Sequence, residues 1–123
     1  MAIDTEALRP NLADFRTRKQ TMLDAVNAGD EAVDPAIALL NDRSDAVRWS
    51  AAKILSDLGA RRAVGPLIEM IERGRSTVAA ANALREITGE DFGEDGDAWR
   101  QWAAAKADVP VTAEREFLSD EEL

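Results

Sequence analysis

Apolar residues recur along this chain at spacings of three and four, interrupted by short polar stretches. Between positions 8 and 26, Leu8, Leu12, Phe15, Met22, Leu23 and Val26 share one helical face with the aliphatic stem of Lys19. That spacing predicts a single N-terminal amphipathic helix. Proline is tolerated only in a first helical turn, so Pro10 places the start around residues 8–10. Asn27-Ala28-Gly29-Asp30 reads as its stop and the following turn.

From Asp30 the pattern becomes short helices parted by tight breaks, and the segments repeat. Ala32-Val33-Asp34-Pro35, followed by Ile37, Leu39 and Leu40, returns as Ala63-Val64-Gly65-Pro66, followed by Ile68, Met70 and Ile71, at an offset of 31. Ala51-Ala52, Leu55 and Leu58 return as Ala80-Ala81, Leu84 and Ile87 at an offset of 29, so the inner turn of the second unit is shorter. Two helical hairpins are expected, over residues 31–59 and 61–89. In the helix from Ser44 to Leu58, Val47, Ala51, Ile54, Leu55 and Leu58 form one stripe, with Ser44 suited to the N-cap and Gly59 to a left-handed stop. Gly89 closes the next hairpin in the same way. A lone hairpin cannot bury stripes on both of its helices, so neighbouring hairpins must cover one another.

Composition supports this picture. The 123 residues hold four prolines and seven glycines, and no segment alternates as a half-buried strand does. The hydrophobic fraction is 46%, but aromatics are only 5%, so small side chains dominate and helices can approach closely. The expected fold is all-α, a short α-solenoid or α-α superhelix. Its parts are a capping helix in residues 1–29, two hairpins and a tryptophan-bearing closing helix in 30–107, and an acidic tail in 108–123.

Charge and missing residue types narrow the chemistry. The net charge of −9 is concentrated: residues 90–97 carry five acids and no base, and residues 106–123 carry six acids against Lys106 and Arg115. The rest is balanced, which argues against duplex nucleic acid or an anionic membrane as partner, since both reward clustered cations. With no Cys and no His, disulfides, thiolate nucleophiles, Cys/His zinc sites and imidazole bases are excluded. Asp4, Glu6 and Asp14 interrupt the early apolar positions, so no signal peptide is expected, and no stretch of about 18 apolar residues could span a bilayer. A cytoplasmic protein is the expectation, with no cofactor, metal or catalytic residue assigned.

The segment Asp45-Ala46-Val47-Arg48-Trp49-Ser50-Ala51-Ala52-Lys53-Ile54-Leu55-Ser56-Asp57-Leu58-Gly59, preceded by a first helix with Pro35 near its start, resembles the HEAT repeats, especially the short HEAT-like repeats of bacterial proteins. The resemblance covers residues 31–89. The stretch from Ile87 through Phe92, Trp99 and Trp102 is also similar to the closing part of many such proteins, where a loop leads into a final helix carrying tryptophans. Two departures stand out, namely only two recognisable hairpins and the shortened second inner turn. The resemblance implies a module that binds a protein through its second helices. It also leaves open an accessory role in an enzyme, because some relatives act on nucleic acids or attach chromophores.

Four features compete as sites. The acidic loop from Asp91 to Asp97 has the alternation of a calcium loop, yet Gly93 replaces a ligand and Trp102 stands where the closing Glu belongs. A structural role fits better, with Asp97 capping the last helix and Phe92 entering the core. Trp99 and Trp102 lie three apart, neighbours on one face, and are expected to pack as an end cap. Trp49 points nearly opposite the buried stripe at about 100° per residue. Its counterpart is Val78, while Lys53 matches Asn82 and Ser56 matches Arg85. Trp49, Lys53, Val78, Asn82 and Arg85 therefore form a ladder along the second helices, our candidate partner-binding face. Its competitors are burial of Trp49 by the N-terminal helix or by a second copy of the chain. In the acidic tail, Thr112 could cap a turn and Phe117-Leu118 could dock, although its charge density predicts disorder in isolation. The expected function is a non-catalytic scaffold with a protein partner, the alternatives being an enzyme accessory subunit or a structural homo-oligomer.

Overall fold

The computed structural model describes residues 3–107, and within them no strand occurs. Seven α-helices follow one another: α1 (Thr5–Ala13), α2 (Arg18–Ala28), α3 (Val33–Leu39), α4 (Asp45–Leu58), α5 (Val64–Glu72), α6 (Thr77–Thr88) and α7 (Gly96–Ala107). Short 3-10 turns at Gly29–Ala32 and Arg61–Ala63 lead from one pair to the next. The sequence in 108–123, expected to be an acidic tail with a docking Phe117-Leu118, lies outside the described residues.

Each boundary has a local cause. Ser44 Oγ accepts the Val47 amide at 3.3 Å and opens α4, and Gly59 closes it in the left-handed region at φ 62°. Pro35 and Pro66 are third residues of α3 and α5, where the absent N–H would have had no intrahelical partner. The last helix departs from expectation at its cap. Asp95, not Asp97, accepts the Ala98 amide, at 3.1 Å, and Asp97 sits inside the first turn, where its charge still faces the positive end of the helix dipole.

The N-terminal region overturns a larger expectation. Instead of one helix over residues 8–26 there are two, and they form a helical pair rather than a single capping helix. Asp4 Oδ1 caps α1 by accepting the Ala7 amide at 2.8 Å, so the helix starts before Pro10, which sits on its exposed side. Three side chains then take over the hydrogen bonds that would have continued α1. Asp14 Oδ1 accepts the Arg16 amide (2.9 Å), Thr17 Oγ1 donates to the Asn11 carbonyl (2.7 Å), and Arg18 Nε donates to the Leu12 carbonyl (2.7 Å). Local side-chain bonds of this kind compete with the helical ladder and end it.

Three pairs therefore stack. The second helices α2, α4 and α6 lie side by side, α1 packs on α3, and α7 closes the far end against α5. Leu8, Leu12, Leu39, Leu40, Val47, Ile54, Leu55, Leu67, Ile68 and Leu84 fill the space between layers. Fully buried alanines at 36, 51, 63 and 80 let the helices come close. Trp99 is also fully buried, its ring edge-to-face with Phe92 at 4.9 Å and Trp102 at 5.9 Å, and its indole N–H donates to the Gly93 carbonyl at 2.8 Å. Phe92 is half-buried against this core. The tryptophans and Phe92 thus pack the end of the stack.

Candidate functional site

The inner turns of the second and third pairs are tied to each other and to α1 beside the ladder, and this fixes the spacing of α4 and α6. Arg9 of α1 forks onto Asp42, Nε to Oδ1 at 2.6 Å and Nη2 to Oδ2 at 3.1 Å. The Ser44 amide donates to the same carboxylate at 2.8 Å. Burial disfavours the ionised form of Asp42, yet the Arg9 and Ser44 bonds outweigh it and hold the carboxyl below its usual range. Arg48 extends the network, donating to the Asp42 carbonyl at 2.7 Å and to Ser76 Oγ at 2.9 Å. Ser76 in turn donates to Asp45. Ser76 adopts φ 49°, an uncommon backbone state for a non-glycine residue, and its two hydrogen bonds hold it there.

On this frame the five ladder residues all reach the surface. Trp49 is 47% exposed and Val78 60%, and Lys53, Asn82 and Arg85 are exposed too. Trp49, Lys53, Asn82 and Arg85 line one furrow between α4 and α6, of about 390 Å³, floored by Ala52, Ala79 and Ala83. Val78 does not line that furrow. It flanks an adjoining depression of about 340 Å³ near the inner turns, with Trp49, Asp45, Thr77 and Asn82. Trp49 is thus the ridge shared by both hollows. Charges alternate across the face, with Lys53 paired to Asp57 at 3.1 Å and Arg85 beside Glu86 at 3.8 Å. Such exposed pairs hold little energy and are easily exchanged for contacts with a partner.

The structure adds a row that the sequence pattern concealed. Phe15 is 78% exposed and Leu23 49%, both on the α2 side of Trp49. With Met22, Val26, Trp49 and neighbouring bases they line a second groove, between α2 and α4, of about 460 Å³. Cover by the N-terminal region is incomplete, since α2 flanks the indole and leaves nearly half of it bare within the chain.

Three carboxylates of the acidic loop are taken up by structural bonds: Asp91 accepts the Gly93 amide, Asp95 caps α7, and Glu94 accepts from Thr77 Oγ1 of α6 at 2.6 Å. Among the described residues no three acids converge in a way that could hold a metal ion, and no helix is long and apolar enough to cross a membrane. Exposed aromatic and aliphatic side chains over shallow furrows, ringed by loosely paired charges, suit contact with a broad surface.

Compared with known proteins, residues 5–88 match the family model described as HEAT repeats. The match begins at α1, so it takes in the N-terminal pair as well as the two hairpins evident from the sequence. No curated protein and no solved structure matches the chain.

Proposed function

The chain belongs to the HEAT-repeat family, and from that premise we propose that it is a non-catalytic scaffold module holding one protein partner against the exposed side of α4 and α6. HEAT repeats generally mediate protein–protein interaction, and the family is typically non-catalytic. One observation carries the finer proposal. Trp49 stands half exposed at the junction of two hollows on a face otherwise floored by alanines, the setting in which an aromatic anchor contributes most to binding. Lys53, Asn82 and Arg85 supply the polar rim, and Val78 an apolar neighbour. The mixed charge of the face favours protein over nucleic acid or membrane, and we take the module to be cytoplasmic.

The test is retention of partners from cell extract by the immobilised chain, its Trp49→Ala and Arg85→Glu variants, and a Glu69→Lys control on α5. Proteins kept by the unaltered chain and the control but lost from both variants, with helical circular dichroism unchanged in all four, support the proposal. Equal retention by every variant removes this face from consideration. Self-association is the second reading, favoured by the exposed row Phe15, Leu23, Trp49 and Val78. Sedimentation over a concentration series separates the two, because a self-associating chain gains mass without any partner.

A further inference from the structure

The groove between α2 and α4 is chemically unlike the rest of the molecule. Its lining carries Arg18, Lys19 and Lys53 against Asp57 alone, in a chain with 24 acids and 15 bases. Phe15, Leu23 and Trp49 give it an apolar wall that faces water. The complementary occupant is an acidic stretch bearing bulky apolar side chains. Residues 108–123 have that composition, with six acids, the single base Arg115, and Val109, Val111, Phe117, Leu118 and Leu123.

Two hollows lie near the end of α7 and near the groove. Lys106, at the end of α7, and Trp102 flank a hollow that also contains Arg61 and Val64. Arg61 borders a further hollow as well, with Arg62, Gly29, Asp30, Leu58 and Gly59. Leu58 of that hollow directly follows Asp57, which with Val26 lines the end of the α2–α4 groove. Arg61 is common to the first two hollows, and Arg62 lines the second. Crossing two to three helix spacings of 8–10 Å requires about 20–30 Å. Ten residues, from Asp108 to Phe117, extend to roughly 33–36 Å, enough to bring Phe117 to the Val26 and Asp57 end of the groove.

We propose that residues 112–123 dock in the α2–α4 groove of their own chain, with Phe117 and Leu118 against Leu23, Val26 and Trp49, and the flanking acids near Lys19 and Lys53. A tether of this length supplies an effective concentration on the order of millimolar, so even weak docking is populated. The inference goes beyond the partner reading and does not rest on it, since contact within one chain is measured without any partner.

The chain has no Cys, so Ser119→Cys gives one site for a nitroxide on the full-length protein. Amide resonances of ¹⁵N-labelled protein are compared with the label oxidised and reduced. The expected result is strong broadening in residues 15–26 and 49–57, lost when Phe117→Ala and Leu118→Ala are added or when Leu23→Glu alters the groove. Broadening confined to α7 and the adjacent turns, or insensitive to those substitutions, overturns the proposal. A mixture of ¹⁵N-labelled chain without nitroxide and unlabelled chain with it gives no broadening if docking is within one chain. Broadening there shows that a second copy supplies the segment, which also overturns the proposal.

Discussion

Replacing Trp99 by Phe tests whether α7 is a working cap on the stack. The indole is fully buried, so the smaller ring forfeits roughly 40 Å² of burial, worth about 1 kcal/mol at about 25 cal/mol per Å². It also loses the N–H that meets the Gly93 carbonyl at 2.8 Å. An orphaned carbonyl costs about 1–3 kcal/mol, and the lower end applies because Gly93 is only partly buried and water can reach it. Looser edge-to-face contacts with Phe92 and Trp102 add about 0.5 kcal/mol. The sum is about 2–3 kcal/mol, a large share of the stability of a small domain. Urea unfolding followed by circular dichroism gives the value as a shift in midpoint at unchanged slope. A smaller slope would mean that α7 had already left α5 in the native state. Trp102→Phe, which removes a half-buried ring, should cost under about 1 kcal/mol. A loss below about 0.5 kcal/mol for Trp99→Phe, or the reverse order of the two variants, would refute the packing argument.

Three further outcomes are expected. Gly59→Ala should destabilise by about 1–2 kcal/mol through backbone strain alone, because φ is 62° and no atom lies within 4 Å of the added Cβ; thermal melting checks it, and an unchanged midpoint contradicts the left-handed cap. Leu12→Ala should cost about 2–5 kcal/mol and Phe15→Ala under about 0.5 kcal/mol in the same melt, since Leu12 is fully buried and Phe15 lies out in solvent; equal costs would mean that the first pair packs differently. Asp42 has a lowered folded-state pKa, so its contribution is complete above the ordinary carboxylate range near pH 4 and fades as pH falls through the folded value; Asp42→Asn should flatten that part of a stability curve, and parallel curves for variant and parent would remove the Arg9–Asp42 pair as its cause.

The two central hairpins were legible because each boundary is written in residues with one physical use. Ser44 has the hydroxyl that an N-cap needs, Gly59 and Gly89 take positive φ without a Cβ penalty, and Pro35 and Pro66 fit only near a helix start. Trp49 was legible for the same reason: once Val47, Ala51 and Leu55 face the core, helical geometry sends residue 49 outward. The first pair was not legible from periodicity. Its spacings of three and four run through residues 14–17 as though the helix continued, while hydrogen bonds from Asp14, Thr17 and Arg18 break it there. Asp97 misled in a similar way, because Asp95 is an equally good cap two residues earlier and only the path of the loop chooses between them.

The overlooked signal lay in the repeat length. Carrying the hairpin offsets of 31 and 29 one step upstream of α3 and α4 predicts helices near residues 2–8 and 16–29, close to the observed Thr5–Ala13 and Arg18–Ala28. Periodicity within a helix reports which side chains share a face, but it cannot detect a break whose length preserves that phase. Periodicity between hairpins can, because every pair must present the same width to its neighbour for the layers to stack. The consequence reaches the candidate site. Under the single-helix reading Phe15 and Leu23 belong to a buried stripe; once the break is placed at 14–17 they extend the Trp49 face onto α2. The apolar groove thus arises where local hydrogen bonding overrides a hydrophobic pattern, which had put Phe15 and Leu23 on one face with Leu8 and Leu12, and Trp49 faces them from α4.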